Sequence, residues 1–480
     1  MNSSYPADLF QPNNFVPLEL ETYLGLVGER ERPPAKIKVS PSDFIVEENT
    51  SDGLQTTVSL ESDLDEARQN NAPIGEYVSV TLVKRQLTTV DGVIGVSELL
   101  NIPRADITYA GQKDRWSESS QRIHIKNVDI DHVRRNCCPE MLTRAGFFIK
   151  DPLPADRPLF RGKLNGNRFR IRVTTQGMTA DQILQYLANP LELLTNKRDL
   201  KFPNFYGRQR LGQRQNLVSI GHAFITKGAE AAIKLFLTQT SPNENAATTQ
   251  VRKLLAVDWD RAEAKSRENG QPVAAQWPYW HGMKMELDKH RTLNLAVEKA
   301  IVDLTLEHCN FEEVIQIIDR ELKSGPSLWI GAYQSFWFNQ ALAKHIRREI
   351  NVGHGVPLFM RDPAVEKWYR KHGLHEAIPE SVDEFVARQF LTPRPPKRPR
   401  QHFDNGRNGR RRFPQRPAFE FGGPFRPALI PLQYLSYHAE DGVLNISFML
   451  RSGGYATTFL GMLFNLDQDD KVLSDERISY

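Results

Sequence analysis

The sequence is poor in cysteine and in long apolar runs, and these absences exclude several classes of protein. The three cysteines of the 480-residue chain, Cys137, Cys138 and Cys309, include an adjacent pair, which fits neither a disulfide framework nor metal-ligand spacing. No apolar run approaches the roughly 20 residues of a membrane helix. The first residues lack the basic and apolar regions of a secretory signal. We therefore expect a protein of the reducing cytoplasm that does not associate with a membrane.

The sequence also lacks the short motifs of nucleotide and metal chemistry. It contains no P-loop, no His-Glu-x-x-His sequence and no paired cysteine ligands. We therefore expect that the protein works with neither a metal ion nor a cofactor.

Positive charge is concentrated in one segment of the chain. Residues 394–416 contain nine Lys or Arg against one acid, Asp404, a net charge of +8, whereas the whole chain carries +4 and the remainder therefore −4. Six prolines also fall within residues 393–417, so we expect this segment to be disordered when free. Such a segment binds phosphate groups non-specifically, although a solvated linker explains it equally well.

The order of the predicted elements indicates an α+β protein in which a sheet domain is interrupted by an insertion. Helices are predicted over Thr89–Leu100 and Met178–Leu194, through most of residues 215–349, and from Tyr455 onwards. Strand patterns precede and follow the long helical stretch. They occur at Lys36–Glu48 (broken at Pro41), Tyr77–Lys84, Arg122–Lys126, Arg168–Val173, Ala428–His438 and Val443–Leu450.

The most informative motif is Ala110-Gly111-Gln112-Lys113-Asp114-Arg115, followed by Gln121. Glycine has no Cβ, so a ligand can approach the backbone at this turn. The two cations that flank Asp114 keep its carboxylate ionised and attract a polyanion. A charged surface turn would explain the Lys-Asp-Arg tripeptide alone. The longer string favours an enzyme that applies one aspartate to a nucleic acid.

Blocks of the sequence, in order, resemble the TruD family of RNA pseudouridine synthases. These six blocks are Lys38–Val46, Ala110–Gln121, Gly166–Phe169, Pro203–Gly212, Ala332–Asn339 and Leu450–Thr457. The resemblance implies the pseudouridine synthase catalytic fold, a mixed and mainly antiparallel sheet with flanking helices, interrupted by an α+β insertion domain. We predict the following boundaries: an N-terminal tail at 1–34, the catalytic domain at 35–202 and 425–480, and the insertion domain at 203–424.

The resemblance also implies roles for individual residues. Asp114 takes the catalytic position and Lys38 matches the active-site lysine. We expect the substrate to meet Phe44, Asn167, Phe169 and Tyr455. We expect RNA to contact Lys113, Arg115, Arg208 and Arg210.

The implied reaction is the isomerisation of uridine to pseudouridine, at position 13 of tRNA. It breaks the N1–C1′ bond and joins C5 to C1′ without exchange of electrons, so no redox cofactor or metal is required. A carboxylate beside the sugar can attack C1′ or take the 2′ proton, and the sequence leaves both routes open for Asp114. A monomer is expected.

Structural explanations compete with several of these assignments. Lys38 fits a solvent-facing strand position, and Phe169 fits a core position. Asn204–Arg210 suits either RNA binding or a domain hinge. Solvation is the default for Arg168, Arg170 and Arg172, and the spacing of Tyr333, Phe336, Trp337 and Leu342 favours a core.

Alternatives for the whole protein also stay open. These are a non-catalytic RNA-binding or chaperone protein on the same fold, a synthase for other RNA uridines, and a metal-dependent or nucleotide-using RNA enzyme. Glu118 departs from the family pattern and could raise the pKa of Asp114 if it pointed inward, although we expect it to face solvent.

Overall fold

The computed structural model describes residues 32–65, 75–196, 199–212, 214, 216–241, 244–322, 324–346, 351, 355–357, 368–369, 371 and 425–467. The basic segment 393–417 and most of the predicted tail lie outside these residues. The chain separates into two compact units. We call the part within Leu24–Asn204 and Leu429–Ser479 the sheet unit, and the part within Phe205–Ala428 the helical unit. The assignment of a catalytic domain and an insertion domain stays a prediction.

Strands lie on both sides of the helical stretch. They are β1 (Pro34–Lys36), β2 (Phe44–Thr50), β3 (Tyr77–Arg85), β4 (Ile107–Tyr109), β5 (Glu118–Lys126), β6 (Phe147–Ala155), β7 (Leu164–Thr175), β8 (Thr195–Asn196), β9 (Asp199–Pro203), β10 (Gly355–Pro357), β11 (Phe425–Pro427), β12 (Leu429–Pro431), β13 (Gln433–Glu440), β14 (Val443–Arg451) and β15 (Asn465–Asp467).

The predicted helices are present, together with two short helices, at 130–135 and 141–145, that were not predicted. They are α1 (Thr89–Leu100), α2 (Ile130–Arg135), α3 (Met141–Ala145), α4 (Ala180–Leu194), α5 (Leu217–Lys227), α6 (Ala229–Thr238), α7 (Ala246–Asn269), α8 (Trp277–Lys289), α9 (Ala296–His308), α10 (Phe311–Ile317), α11 (Pro326–Ile346) and α12 (Ala456–Leu463). Within the described ranges, no helix is both long and apolar enough to cross a bilayer.

Apart from a small sheet of order β12-β9-β8, the sheet unit is built on one large mixed sheet. Its described strands follow the order β13-β14-β7-β2-β5-β3-β6, with β1 beside β7 and β15 and with β4 beside β5. The β2–β5 and β1–β15 pairs are parallel, and the other pairs of this sheet are antiparallel. The α+β fold class with a mainly antiparallel sheet is therefore confirmed.

Strand β7 lies inside this sheet, between β14 and β2, and carries the Gly166-Asn167-Arg168-Phe169 block. Phe169, Ile171 and Val173 are buried on one face, as the alternating pattern predicts. Gly166 is required by close packing, because a Cβ there would lie 2.1 Å from the Leu450 carbonyl oxygen.

The helical unit buries several of its large aromatic side chains. Trp259, Trp280 and Trp329 have no exposed surface, and the Trp259 ring stacks on Phe311 with centroids 5.6 Å apart. The predicted core role is confirmed for four residues of α11, all of which are buried: Tyr333, Phe336, Trp337 and Leu342.

Candidate active site

Lys38 and Asp114 form an ion pair. Lys38 Nζ donates to Asp114 Oδ2 over 2.9 Å. The Lys38 side chain is 8% exposed, whereas the Asp114 side chain keeps 33% of its surface exposed. A cation at this distance favours the ionised carboxylate, and the exposure leaves that carboxylate open to a ligand. This geometry excludes the alternative that Lys38 is a solvent-facing strand residue.

Lys38 is held in an unusual backbone conformation. Its φ of 59° lies in the left-handed region that residues with a Cβ rarely adopt. Trp116 Nε1 donates to the Lys38 carbonyl over 2.8 Å. Lys38 Nζ also lies 4.5 Å from the centre of the Phe44 ring, a cation–π contact. Because a strained conformation persists only where its surroundings over-determine it, Trp116 and Phe44 help to fix the lysine that meets Asp114.

Lys113 is buried, and its predicted contact with RNA stays a prediction. Its Nζ lies 2.9 Å from Glu48 Oε2, and the two side chains are 4% and 1% exposed. The same Nζ donates to Asn167 Oδ1 over 2.6 Å. Buried charges are tolerated when they are paired and hydrogen-bonded, and Glu48 neutralises Lys113 here. The Lys113 charge therefore acts inside the protein.

Lys113 decides which way the Asn167 amide is turned. An ammonium group only donates hydrogen bonds, so Asn167 must present Oδ1 to Lys113 and its Nδ2 elsewhere. Asn167 is half-buried and lies between Glu48 on β2 and Leu450 on β14. The direction of its Nδ2 donor is therefore fixed by Lys113.

The phenylalanines predicted at the substrate are core residues. Phe44 is 2% exposed and Phe169 is 8% exposed. Their rings meet edge to face at 6.1 Å, and Phe169 stacks on Phe448 at 5.6 Å. The core alternative for Phe169 is confirmed. Both rings are covered by protein, and their predicted contacts with the substrate stay predictions.

Residues outside the predicted set hold the Asp114 loop, which comprises Gly111–Ser117. Lys84 Nζ and Ser117 Oγ each donate to the Asp114 carbonyl over 2.8 Å. Thr89 Oγ1 accepts from the Lys113 amide over 2.8 Å and donates to Gln121 Oε1 over 2.9 Å. The loop is therefore tied to β3, to the first residue of α1 and to β5. Gln121 was predicted as part of the motif, but nothing in the sequence pairs Lys84 with Asp114.

Lys84 is the most strongly perturbed titratable group beside Asp114. Its side chain is fully buried, and burial lowers its pKa to about 7. A perturbed, buried lysine next to a partly exposed carboxylate is typical of functional sites.

Glu118 does not face solvent, and this prediction is wrong. It begins β5, and its carboxylate pairs with the Arg85 guanidinium. The side chain of Glu118 is 11% exposed, against 47% for Arg85. In the antiparallel register Arg85 lies directly opposite Glu118, so the strand pairing brings the two charges together.

Arg168 and Arg170 of β7 share a buried partner, Glu47, on the neighbouring strand β2. Arg168 Nε and Arg170 each bind the Glu47 carboxylate, over 2.8 Å and 3.0 Å. Glu47 has no exposed surface, whereas the two arginine side chains are 37% and 46% exposed. Plain solvation therefore does not describe Arg168 and Arg170, because both compensate a buried charge.

Two further predicted residues belong to the sheet unit. Tyr455 is half-buried at the N-terminus of α12, four residues after Arg451, which pairs with Gly166. Arg115 is half-buried, and its Nε donates to the Gln86 carbonyl over 3.3 Å. Their roles in substrate and RNA binding stay predictions.

The helical unit carries the remaining predicted residues. Arg208 begins a 3-10 turn, and its side chain lies outside the described ones. Arg210 Nε donates to Ser335 Oγ over 3.4 Å. Asn339 makes two hydrogen bonds to the main chain of Tyr206, at 2.9 and 3.1 Å, so the two sequence blocks of this unit are joined to each other. RNA contact by the two arginines stays a prediction.

A family model for tRNA pseudouridine synthase D (TruD) matches residues 26–389. The chain belongs to the TruD family. As a TruD protein it is a tRNA pseudouridine synthase, an isomerase that converts uridine to pseudouridine. Within the described ranges, no group of three or more His, Cys, Asp or Glu side chains is placed to hold a metal ion.

Proteins similar in sequence or structure are also named as TruD proteins. A protein named tRNA pseudouridine synthase D 1 from Methanocaldococcus jannaschii is 23% identical over 88% of this chain and 94% of its own length. A tRNA pseudouridine synthase D from Geotalea daltonii is 24% identical over 80% of this chain and 89% of its own length. A crystal structure described as TruD from Methanosarcina mazei superimposes with a TM-score of 0.56 at 18% identity, covering 95% of this chain and 99% of that one. The structural likeness confirms the fold.

Proposed function

We propose that Asp114 is the catalytic carboxylate of this TruD protein and that Lys38 keeps it ionised. The observation that carries the proposal is the 2.9 Å contact between a buried Lys38 and a partly exposed Asp114. A carboxylate in contact with a cation stays charged at neutral pH. It can then act on C1′ of the ribose as a nucleophile, or on the 2′ proton as a base.

The reaction balances without a further reagent. In the nucleophilic route an Asp114 oxygen bonds to C1′ while the N1–C1′ bond breaks, and the uracil leaves as an anion. After the base turns, C5 attacks C1′ and displaces the carboxylate. C5 then loses its proton and N1 gains one. In the other route Asp114 removes the 2′ proton as the N1–C1′ bond breaks, and the proton returns when C5 bonds to C1′.

Space beside the Asp114 loop supports an approach by the sugar. A Cβ added to Gly111 would meet no atom within 4 Å, so the free protein leaves the surface of this turn open. We propose that Asn167 donates from Nδ2 to a uracil carbonyl, because Lys113 occupies its Oδ1. We propose Tyr455 as the stacking aromatic, since it keeps more exposed surface than Phe44 or Phe169.

The substrate position comes from the family resemblance. We propose uridine 13 of tRNA, with Arg115, Arg208 and Arg210 as contacts to the RNA backbone. A monomer and a cytoplasmic location stay predictions.

The test is pseudouridine mapping on a tRNA pool treated with the protein, by carbodiimide modification and primer extension. Wild type is compared with Asp114→Asn, which keeps the shape of the side chain and removes its charge. Asp131→Asn is the matched control, because Asp131 lies in the same unit with its side chain 63% exposed and paired only with Arg134. We expect new stops with wild type and with Asp131→Asn, and a loss of at least about 10³-fold in rate for Asp114→Asn.

The outcomes separate the parts of the proposal. Stops at a position other than 13 would revise the substrate but keep the reaction. Equal stops with wild type and folded Asp114→Asn would remove Asp114 from the chemistry. Binding of tRNA without stops from any variant would favour the non-catalytic RNA-binding alternative.

A further inference from the structure

Lys84 is a fully buried lysine that binds the main chain of Asp114. Its side chain has no exposed surface. Its Nζ donates to the carbonyl of Asp114 over 2.8 Å and to the carbonyl of Leu87 over 2.7 Å. The lysine therefore links the Asp114 loop to the turn that precedes α1.

A structural role alone does not explain why this residue is a lysine. Both partners of Lys84 Nζ are neutral carbonyls, which a neutral donor would satisfy equally well. Burial without a carboxylate at hydrogen-bond distance penalises the ammonium form. Accordingly, burial lowers the pKa of Lys84 to about 7, so its proton is gained or lost near neutral pH.

The charged groups around Lys84 come from three parts of the sheet unit. Asp114 on the loop and Asp91 on α1 favour its protonated form, whereas Lys113 on the loop and Lys38 disfavour it, with Asp114 the strongest of the four. The adjacent strands β5 and β6 place Ser119 and Phe147 opposite Lys84, and neither side chain titrates in the neutral range. The charge of Lys84 is therefore coupled first to Asp114.

We propose that Lys84 is a positioning residue for Asp114, fixing the main chain of the reacting carboxylate and setting the charge behind it. The inference rests on the proposed function of Asp114. Both forms of the lysine keep N–H donors for the two carbonyls, so the loop stays in place in either state. Loss of the proton removes a cation from behind the carboxylate, so the negative charge of Asp114 is less stabilised and the carboxylate becomes a stronger nucleophile.

The experiment measures the single-turnover rate at saturating enzyme from about pH 6 to about pH 9. The substrate is a tRNA pool labelled with tritium at C5 of uridine, which releases tritium once C5 has joined C1′. For wild type we expect the rate to rise with a midpoint near the lowered pKa of Lys84, about 7. Lys84→Arg stays charged at every pH used, so its profile should lack this rise.

Lys84→Met removes both the hydrogen bonds and the charge. Because a displacement of the reacting group by about 1 Å costs about 10²-fold in rate, we expect a loss of that size at every pH. The single-turnover rate should decrease and the affinity for tRNA should not change, since Lys84 lies away from the surface. Each variant is first checked for folding by its unfolding transition in urea.

Lys150 supplies the matched control. It is another buried lysine of the sheet unit, 6% exposed. It donates to the carbonyls of Ser59 and Glu61 and pairs with Asp63 at 2.9 Å, outside the Asp114 loop. Lys150→Met should lose stability and keep the wild-type pH profile.

Three results would overturn the inference. They are a folded Lys84→Met with the wild-type rate, a wild-type profile that is flat or falls near neutral pH, and a rise that persists in Lys84→Arg. If Lys84→Met does not fold, the wild-type and Lys84→Arg profiles still decide. Absence of tritium release from wild type would instead refute the proposed function itself.

Discussion

The two units of the molecule bury their charges in different ways. In the helical unit, Arg252 lies 2.6 Å from both Glu244 and Glu298, with Arg214 beside the same two carboxylates. Two cations meet two anions, and Arg252 is 2% exposed. This cluster is closed, because every charge has an opposite partner within it.

The cluster in the sheet unit is not closed. Lys113 pairs with Glu48, and Lys38 pairs with Asp114, while Lys84 has only carbonyls as hydrogen-bond partners. One carboxylate, that of Asp114, keeps a third of its surface exposed. A closed cluster serves stability, whereas an excess of cations beside an accessible carboxylate is an arrangement for chemistry. The difference suggests that charge changes should affect stability in both units but the reaction only in one.

The largest combined effect is expected for Lys113→Met. It leaves Glu48, whose side chain is 1% exposed, without its cation, and breaking a buried pair in this way costs about 3–5 kcal/mol. It also releases the Asn167 amide, so the single-turnover rate of the folded fraction should fall. Urea unfolding and tritium release measure the two effects separately.

The double variant Lys113→Met, Glu48→Gln distinguishes these two roles. Removal of both charges should recover much of the stability, because no unpaired charge stays buried, but not the rate. Recovery of both would show that Lys113 acts on the reaction only through folding.

The matching change in the helical unit is Arg252→Met. It leaves Glu244 and Glu298 with one fewer cation, and we expect a loss of about 3–5 kcal/mol in the free energy of unfolding. The single-turnover rate at a temperature where the variant is folded should equal that of wild type. A fall in that rate would contradict the separation of roles between the two clusters.

Parts of the sheet unit could be predicted from the sequence. Phe169, Ile171 and Val173 alternate with charged residues, and this period of two predicts strand β7 directly. The proximity of Lys38 and Asp114, 76 positions apart, was expected only from the family resemblance. Periodicity carries no information on such a distant pair.

Other features could not be predicted, for physical reasons. Lys84 follows the apolar run of β3 and looks like the polar end of a strand. Its partners are main-chain carbonyls, which every residue possesses, so no side-chain pattern indicates the contact. The pairing of Glu118 with Arg85 depends on the register of β3 against β5. Register is set by the packing of the whole sheet.

The loss of stability in acid tests a further difference, since the helical unit contains a half-buried histidine. Burial lowers the pKa of His222 on α5 to about 4. Between about pH 6.5 and pH 4 the unfolded chain binds a proton that the folded chain does not. The free energy of unfolding therefore decreases as the pH decreases, by at most about 1.4 kcal/mol per pH unit.

His222→Gln should remove this contribution and flatten the unfolding free energy over that range. Urea unfolding at a series of pH values measures it. An unchanged acid limb in the variant would mean that groups other than His222 control the loss of stability.

The smallest effect is expected for Glu118→Val, which removes the residue that departs from the family pattern. Arg85 keeps 47% of its side chain exposed, so its guanidinium can be hydrated when the partner is lost. A pair with one exposed member contributes under about 1 kcal/mol, and valine is well suited to a strand.

Because Arg85 already neutralises Glu118, the carboxylate exerts little net field on Asp114, and the single-turnover rate should not change. A higher rate in Glu118→Val, with an unchanged unfolding free energy, would show instead that this charge reaches Asp114 and weakens the enzyme.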